Sequence, residues 1–165
     1  WPAVEKKLGA IREFLVQSEN GDTLIKASSQ WILIDAARRR PIALRENLPM
    51  YQVIGERVID TDFPKISEPQ KIDEAAEFFI RFDDIDLNNH VNNAVYPLWA
   101  SEAVGIDFRA AHTPAEIEIA FKKEGLYGED IRVETEFDNL TTIHRIKATG
   151  DGRELARVRI CWIGI

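Results

Sequence analysis

A dense group of short polar side chains lies near the middle of the chain, and its residue types suit hydrolytic chemistry. The group consists of Asp83, Asp84, Asp86, Asn88, Asn89, His90, Asn92 and Asn93. An imidazole such as that of His90 can act as a general acid or base, and the Asn88 amide can donate a hydrogen bond. Hydrolysis of an acyl group needs an activated water and a donor to the oxyanion. A polar turn whose side chains only satisfy backbone groups has the same composition, so the residues alone leave both interpretations open.

The segments on either side of this group are predicted to hold it in place. An apolar run from Phe78 to Ile80 indicates a strand before it, and helical spacing begins after it. Asn92 or Asn93 is predicted to cap the helix, Pro97 suits its first turn, and Gly105 is predicted to be its C-cap. The helix face predicted to be buried comprises Val95, Leu98, Trp99, Glu102 and Ala103.

The remaining pattern predicts an α+β fold in which one helix packs against a curved antiparallel sheet. Alternating apolar residues and turn signals indicate strands at 10–16, 23–35, 75–81, 115–123, 130–137, 141–149 and 154–165. Residues 44–70 contain several prolines and are predicted to be irregular.

Two strand-like runs resemble each other at a constant offset. GDTLIKASSQWILI begins at Gly21 and GRELARVRICWIGI begins at Gly152, so that 152 − 21 = 131. Chance similarity between two hairpin strands is one interpretation, and a tandem duplication is the other. On the second interpretation the first copy lacks its opening strand and helix. The apolar face carrying Ile25, Ala27, Trp31 and Leu33 is then expected to be exposed and to promote self-association.

The run DLNNHVNN from Asp86 to Asn93, followed by a helix carrying Trp99, resembles the acyl-acyl-carrier-protein thioesterases, which are tandem hotdog proteins. The run SSQWILID from Ser28, with the RRP that follows from Arg39, resembles the end of that family's first hotdog. The resemblance implies residues 1–45 as the last strands of a first hotdog, 46–74 as a linker and 75–165 as a second, catalytic hotdog. It also implies hydrolysis of the thioester between a fatty acyl chain and its carrier in fatty acid biosynthesis, without metal or organic cofactor.

The same resemblance assigns site residues. Asn88 is expected to bind the oxyanion or position the water, with Asp86 in support. Glu124 matches the family's glutamate, and Gly125 stands where the plant members carry a cysteine. The resemblance then makes either Glu124 or His90 the general base. Without the resemblance, the charged residues around Glu124 are equally typical of the solvated end of a strand. Asn92, Asn93 and Trp99 are the expected substrate-binding residues.

Composition limits the partners. The net charge of −7 argues against general binding to nucleic acid or acidic membranes. An acidic acyl carrier protein is nevertheless expected to dock on a local basic patch, and the candidates are Arg38, Arg39, Arg40, Lys122 and Lys123. The single cysteine, Cys161, suits a reducing compartment and is predicted to be packed and inert, so a cytoplasmic location is expected, with an upstream targeting segment left open. No apolar run approaches membrane-spanning length.

Two alternatives remain at this level. One is a single-hotdog thioesterase that acts on acyl-coenzyme A as a homodimer. The other is a hotdog protein that binds acyl groups without hydrolysing them.

Overall fold

The computed structural model describes every residue from Trp1 to Ile165, and the chain divides into two units, Trp1–Pro64 and Lys65–Ile165. Residues 46–74, predicted to be a linker, are shared between the two units. Within the second unit, the N–H of Gln70 donates to the Glu136 carboxylate at 2.6 Å, and the N–H of Phe137 donates to Asp73 at 2.8 Å. The domain boundaries given above stay a prediction.

The first unit is built on a three-stranded antiparallel sheet in the order β1-β2-β3. Its elements are β1 (Pro2–Glu5), β2 (Gly9–Gln17), β3 (Thr23–Ile32), β4 (Ile34–Asp35), β5 (Arg40–Pro41) and α1 (Leu44–Asn47). The predicted strand 23–35 is interrupted at Leu33, and its last part pairs with β5 as a separate hairpin. β3 is an edge strand, and Ile25 and Trp31 on it are about half exposed, at 58% and 49%. Self-association through that face stays a prediction.

The second unit is a five-stranded antiparallel sheet with two helices. Its strands are β6 (Glu74–Phe79), β7 (His112–Phe121), β8 (Asp130–Asp138), β9 (Thr141–Ala148) and β10 (Glu154–Gly164), in the spatial order β6-β8-β9-β10-β7. A 3-10 turn (Phe82–Asp84), α2 (Val95–Glu102) and α3 (Ile106–Ala111) lie between β6 and β7. None of the helices in the chain has the length and apolar character needed to cross a membrane.

One face of this sheet packs on α2. Along β9, alternation buries Thr142, His144, Ile146 and Ala148, while the residues between them stay partly exposed. The buried residues of α2 are Tyr96, Trp99 and Ala100, and they belong to the same core cluster as Ile131, Val133 and Val158. An antiparallel sheet wrapped on a central helix is the predicted α+β hotdog arrangement, which is confirmed.

Several details of the helix prediction are wrong. The N-cap of α2 is Ala94, with no side-chain cap; the Asn92 side chain instead accepts from the Ala94 N–H at 3.0 Å, so the amide closes the preceding turn. The C-cap is Ala103, and Gly105, with φ 81°, joins α2 to α3, a helix that was not predicted. The buried face of α2 is also rotated about the helix axis relative to the predicted one. The predicted face included Glu102, whereas the observed face carries no charged side chain and therefore loses less free energy on burial. The observed face consists of Tyr96, Trp99, Ala100 and Ala103.

The tandem similarity extends beyond the two runs that first indicated it. β3 begins at Thr23 and β10 at Glu154, and 154 − 23 = 131. β2 ends at Gln17 and β9 at Ala148, and 148 − 17 = 131. Gly21 and Gly152 both adopt positive φ, 88° and 72°, in the turns before these strands. The hairpins β2-β3 and β9-β10 therefore match at the same offset, and their origin in a tandem duplication stays a prediction.

A buried histidine lies in the sheet of the second unit. His144 is fully buried, and its ring nitrogens lie 2.9 Å from the Thr135 hydroxyl and 2.7 Å from the Thr142 hydroxyl. The Thr142 hydroxyl also accepts from the Trp162 indole N–H at 2.9 Å. Burial without a nearby carboxylate lowers the pKa of His144 from 6.5 to about 3.

This burial predicts acid sensitivity of the fold. Between pH 6.5 and about 3 the unfolded chain binds a proton at His144 that the folded chain does not. We therefore expect the unfolding free energy to fall by about 1.4 kcal/mol per pH unit as the pH drops through this window. Urea titrations at a series of pH values would measure the slope. His144→Gln should flatten it, whereas His112→Gln, at the half-buried histidine that begins β7, should leave it unchanged; identical slopes in both variants would contradict the assignment.

Candidate active site

The polar loop, residues 85–93, is folded around the carboxylate of Asp86. This carboxylate accepts from the Asn88 N–H at 2.8 Å, the Asn88 side-chain amide at 3.2 Å and the His90 N–H at 3.4 Å. The Asp86 N–H donates to the His90 carbonyl at 2.8 Å, and Asn89 between them adopts positive φ, which asparagine tolerates. The Asn88 N–H, as the main cause, holds the pKa of Asp86 below its ordinary value. Asp86 therefore stays ionised and fixes the orientation of the Asn88 amide.

The start of the polar loop is anchored by Asp84, which is buried. Its carboxylate accepts from the Arg81 backbone N–H at 2.8 Å and from the Arg81 guanidinium at 2.9 Å. Its carbonyl accepts from the Asn92 N–H at 2.8 Å. The two ends of the loop are thus joined before α2 begins.

Glu124 lies in a segment without helix or strand, residues 122–129, which we call the glutamate segment. β7 ends at Phe121, before the predicted end of this strand at Lys123, so Glu124 follows the strand and is not part of the sheet. The Gly125 carbonyl accepts from the Val91 N–H at 2.9 Å, which joins the glutamate segment to the polar loop. Across this junction, the Glu124 Oε2 lies 3.4 Å from the His90 Nε2.

These contacts bring Glu124 beside His90 and Asn88 beside Asp86. The His90 and Glu124 side chains are 34% and 48% exposed, so water reaches the pair. An open pocket of about 660 Å³ lies along the polar loop and is lined by Asp86, Asn88 and Asn92, whereas Glu124 lines a separate, smaller pocket with Arg153. An imidazole in contact with a carboxylate can accept and return a proton, and an amide held at a fixed orientation can donate to a developing negative charge.

Gly125 leaves no space for a larger side chain. A Cβ at this position would lie 2.9 Å from Val91 Cγ2, 3.2 Å from Ile80 Cδ1 and 3.3 Å from Leu155 Cδ1. The first distance is shorter than real Cβ contacts, and all three atoms belong to core side chains. The position that holds a cysteine in plant members is therefore closed to one here unless the core shifts.

This crowding predicts the effect of restoring the cysteine. Gly125→Cys and Gly125→Ala should lower the unfolding free energy by about 1–3 kcal/mol through overpacking, and Gly125→Cys should lose turnover rather than gain a nucleophile. Thermal unfolding would measure the first effect. Gly150→Ala is the matched control, because nothing lies within 4 Å of a Cβ there. A Gly125→Cys variant as stable as the parent, with turnover sensitive to thiol reagents, would contradict this prediction.

The other predicted site residues are placed as follows. Asn93 is exposed at the start of the helix, and Lys122 and Lys123 are exposed beside Glu124. Trp99 lies in the core at 6% exposure, stacked on Phe78 at 6.4 Å and edge-on to Tyr96 at 5.4 Å. In the first unit, the basic run begins in the turn between β4 and β5 and consists of Arg38, Arg39 and Arg40. The roles assigned to all of these residues stay predictions.

Sequence reasoning missed the residues that support the glutamate segment. Arg153 donates to the Glu124 carbonyl at 3.3 Å although 29 residues separate them in the chain. It also donates to the Glu129 carboxylate at 2.6 Å. No local pattern signals such a contact, since it depends on how the β9-β10 turn meets the end of β7.

Comparison with known proteins identifies related sequences. The family described as "Acyl-ACP thioesterase C-terminal domain" matches residues 67–164, and "Acyl-ACP thioesterase N-terminal domain" matches residues 1–50. A palmitoyl-acyl carrier protein thioesterase, chloroplastic, of Arabidopsis thaliana is 26% identical over 98% of this chain and 44% of its own length. An oleoyl-acyl carrier protein thioesterase 1, chloroplastic, of the same plant is 21% identical over 98% of this chain and 53% of its length. The chain thus spans about half the length of these relatives.

Solved structures share the fold. The 12:0-ACP thioesterase from Umbellularia californica superposes with a TM-score of 0.82 at 20% identity, covering 100% of this chain and 66% of that one. An acyl-ACP thioesterase from Bacteroides thetaiotaomicron gives a TM-score of 0.82 at 18% identity, covering 99% and 66%. At these identities the likeness concerns the arrangement of elements.

Proposed function

Because this chain belongs to the acyl-ACP thioesterase family, we propose that its second unit carries a hydrolytic centre that cleaves fatty acyl thioesters of acyl carrier protein. Residues 75–165 are the proposed catalytic hotdog, with 1–45 as strands of a first hotdog and 46–74 as the linker. The observation that carries the proposal is the 3.4 Å contact between His90 Nε2 and Glu124 Oε2. Asp86 and Asn88, which are hydrogen-bonded to each other, belong to the same loop as His90.

The proposed reaction uses water as the nucleophile. The His90–Glu124 pair takes a proton from water as its oxygen attacks the thioester carbonyl. The Asn88 amide, oriented by Asp86, donates to the oxyanion that forms. Collapse of this intermediate breaks the carbon–sulfur bond, releases the fatty acid and expels the carrier thiolate, which receives the proton from the pair. Electrons and protons balance without any further reactant.

The position of the only thiol in the chain supports water, and not a cysteine, as the nucleophile. Gly125 occupies the cysteine position and has no room for a side chain. The only cysteine, Cys161, is partly buried in β10, with its sulfur 3.8 Å from the Thr141 hydroxyl. β10 pairs with β9 and β7 at this point, and neither the polar loop nor the glutamate segment contributes a partner. Cys161→Ser should therefore retain turnover.

The carrier-linked substrate is proposed from the relatives, whose names specify acyl-carrier-protein thioesters. Lys122 and Lys123 next to Glu124 are the proposed docking residues in this unit for an acidic carrier. The cytoplasm stays our prediction for the location, although the plant relatives are named as chloroplastic.

A thiol-release assay over a series of carrier-linked acyl chains tests the proposal, with the same chains on coenzyme A in parallel. We expect release from the carrier thioesters and its loss in Glu124→Gln. Preference for coenzyme A would favour the single-hotdog alternative. Binding of the acyl group without thiol release would favour a non-hydrolytic protein.

A further inference from the structure

The glutamate segment has no helix or strand, yet it carries the proposed base, so its conformation must be fixed by contacts from elsewhere. We propose that Arg153, at the turn before β10, is a positioning residue that holds Glu124 against His90. The inference rests on the function proposed above and adds a residue to it.

Arg153 reaches the segment near both of its ends. Its Nη2 donates to both Glu129 carboxylate oxygens at 2.6 Å and to the Glu124 carbonyl at 3.3 Å. Its Nη1 donates to Asp151 at 2.9 Å, which fixes the guanidinium plane. Glu129 in turn accepts from the Leu126 N–H at 2.9 Å, so the carboxylate bound by Arg153 also closes the middle of the segment.

Two successive carbonyls are therefore held by different elements. The Glu124 carbonyl is held by Arg153, and the Gly125 carbonyl is held by the Val91 N–H of the polar loop at 2.9 Å. Val91 directly follows His90 in the chain. Of the two peptide groups that follow Glu124, the first is thus held by Arg153 and the second by the loop that carries His90. Losing one of these anchors lets the Glu124 carboxylate move relative to the His90 imidazole.

The burial and charge of the pair suit a rigid anchor. Arg153 and Glu129 are each only 26% exposed, and the ion pair with Glu129 is the main cause that raises the pKa of Arg153. A guanidinium can donate to several acceptors in one plane, whereas a lysine ammonium presents a single flexible point charge.

Arg159, on β10, provides a matched control. It donates to both oxygens of Glu118, at 2.9 and 2.7 Å, and to Glu116 at 3.0 Å. Its side chain is 35% exposed, and its partners lie on β7 rather than in the glutamate segment. A purely structural loss of an arginine ion pair should therefore affect Arg153 and Arg159 variants alike.

The test compares Arg153→Met and Arg159→Met in the thiol-release assay on the full chain. Misplacement by about 1 Å can cost roughly 100-fold in rate, and we expect Arg153→Met to lower kcat by at least about tenfold with little change in KM. We also expect its pH–rate profile to shift, because the His90–Glu124 contact is loosened. Arg159→Met should keep the parent kcat and profile. Arg153→Lys should regain thermal stability but only part of kcat.

Equal kcat losses in Arg153→Met and Arg159→Met, or a parental kcat and pH profile in Arg153→Met, would overturn the inference. If Arg153→Met does not fold, Glu129→Gln answers the same question, since its amide oxygen still accepts from Leu126 while the ion pair is lost; a parental kcat there overturns the inference too. Absence of thiol release from carrier thioesters by the parent chain would refute the proposed function itself, whereas an inactive Glu124→Gln beside a fully active Arg153→Met would refute only the role of Arg153.

Discussion

Replacing Glu124 with glutamine should reduce turnover by about 1,000-fold, within the range that loss of a general base produces. Glutamine keeps the shape of the side chain and its contact distance to His90 but cannot accept a proton from water. The effect should fall on kcat, because binding of the acyl chain and carrier does not depend on the carboxylate charge. Thiol release at saturating substrate measures it.

The matched control for this charge loss is Glu116→Gln. Glu116 is an exposed glutamate on β7 whose partner is Arg159, and it has no contact with the polar loop. It should keep the parent turnover. Near-normal turnover of Glu124→Gln would exclude Glu124 as the base and leave His90 as the candidate. A folded but inactive Cys161→Ser would instead argue that sulfur, not water, is the nucleophile.

Replacing Asn88 with alanine should lower kcat by about 100-fold or more, the cost of removing one donor to an oxyanion. The structure explains why this substitution should reduce turnover without unfolding the polar loop. Asp86 fixes the loop mainly through backbone N–H groups of residues 88 and 90, and these bonds survive in the variant. The loop should therefore keep its conformation while the donor disappears.

Asn88→Asp extends this test. A second carboxylate would face Asp86 across the 3.2 Å now occupied by an amide hydrogen bond, so both the loop and the oxyanion would experience repulsion. We expect a larger loss than for alanine. Asn20→Ala, in the exposed turn before β3, serves as the control for truncating an asparagine. If Asn88→Ala and Asn20→Ala had the same turnover, Asn88 would have no part in the reaction.

Which features could be predicted from the sequence depended on how far apart in the chain the interacting residues lie. The polar loop follows from the sequence because its bonds join residues two to four positions apart, as in Asp86 with Asn88 and His90. The strands of the second unit were predicted from alternation, which is clearest in β9, where every second residue is buried; β6 and β7 contain no fully buried residue. The pairing of His90 with Glu124 spans 124 − 90 = 34 residues, and only the resemblance to a family suggested it.

The failures have equally physical causes. The Asn92 side chain could accept either from an N–H in the first turn of the helix or from an N–H in the preceding turn, and both bonds satisfy a backbone donor. In the structure it accepts from the Ala94 N–H and closes the turn. Helical spacing allowed two rotations of α2, and the predicted one placed Glu102 on the buried face, whereas Glu102 is exposed in the structure. Arg153 was missed since its partners, Glu124 and Glu129, meet it only after the sheet has formed.

The closed space at Gly125 has a consequence for inhibitor chemistry. A centre without sulfur offers no target to alkylating agents, disulfides or oxidants that attack thiolates. Cys161, the only thiol, is partly buried in β10, away from the residues that would react with substrate. An excess of a maleimide should therefore leave turnover intact even where Cys161 is modified, as mass spectrometry would show; inactivation in step with labelling would contradict this. Reversible compounds that mimic the oxyanion which Asn88 is proposed to bind are therefore the expected inhibitors of this centre.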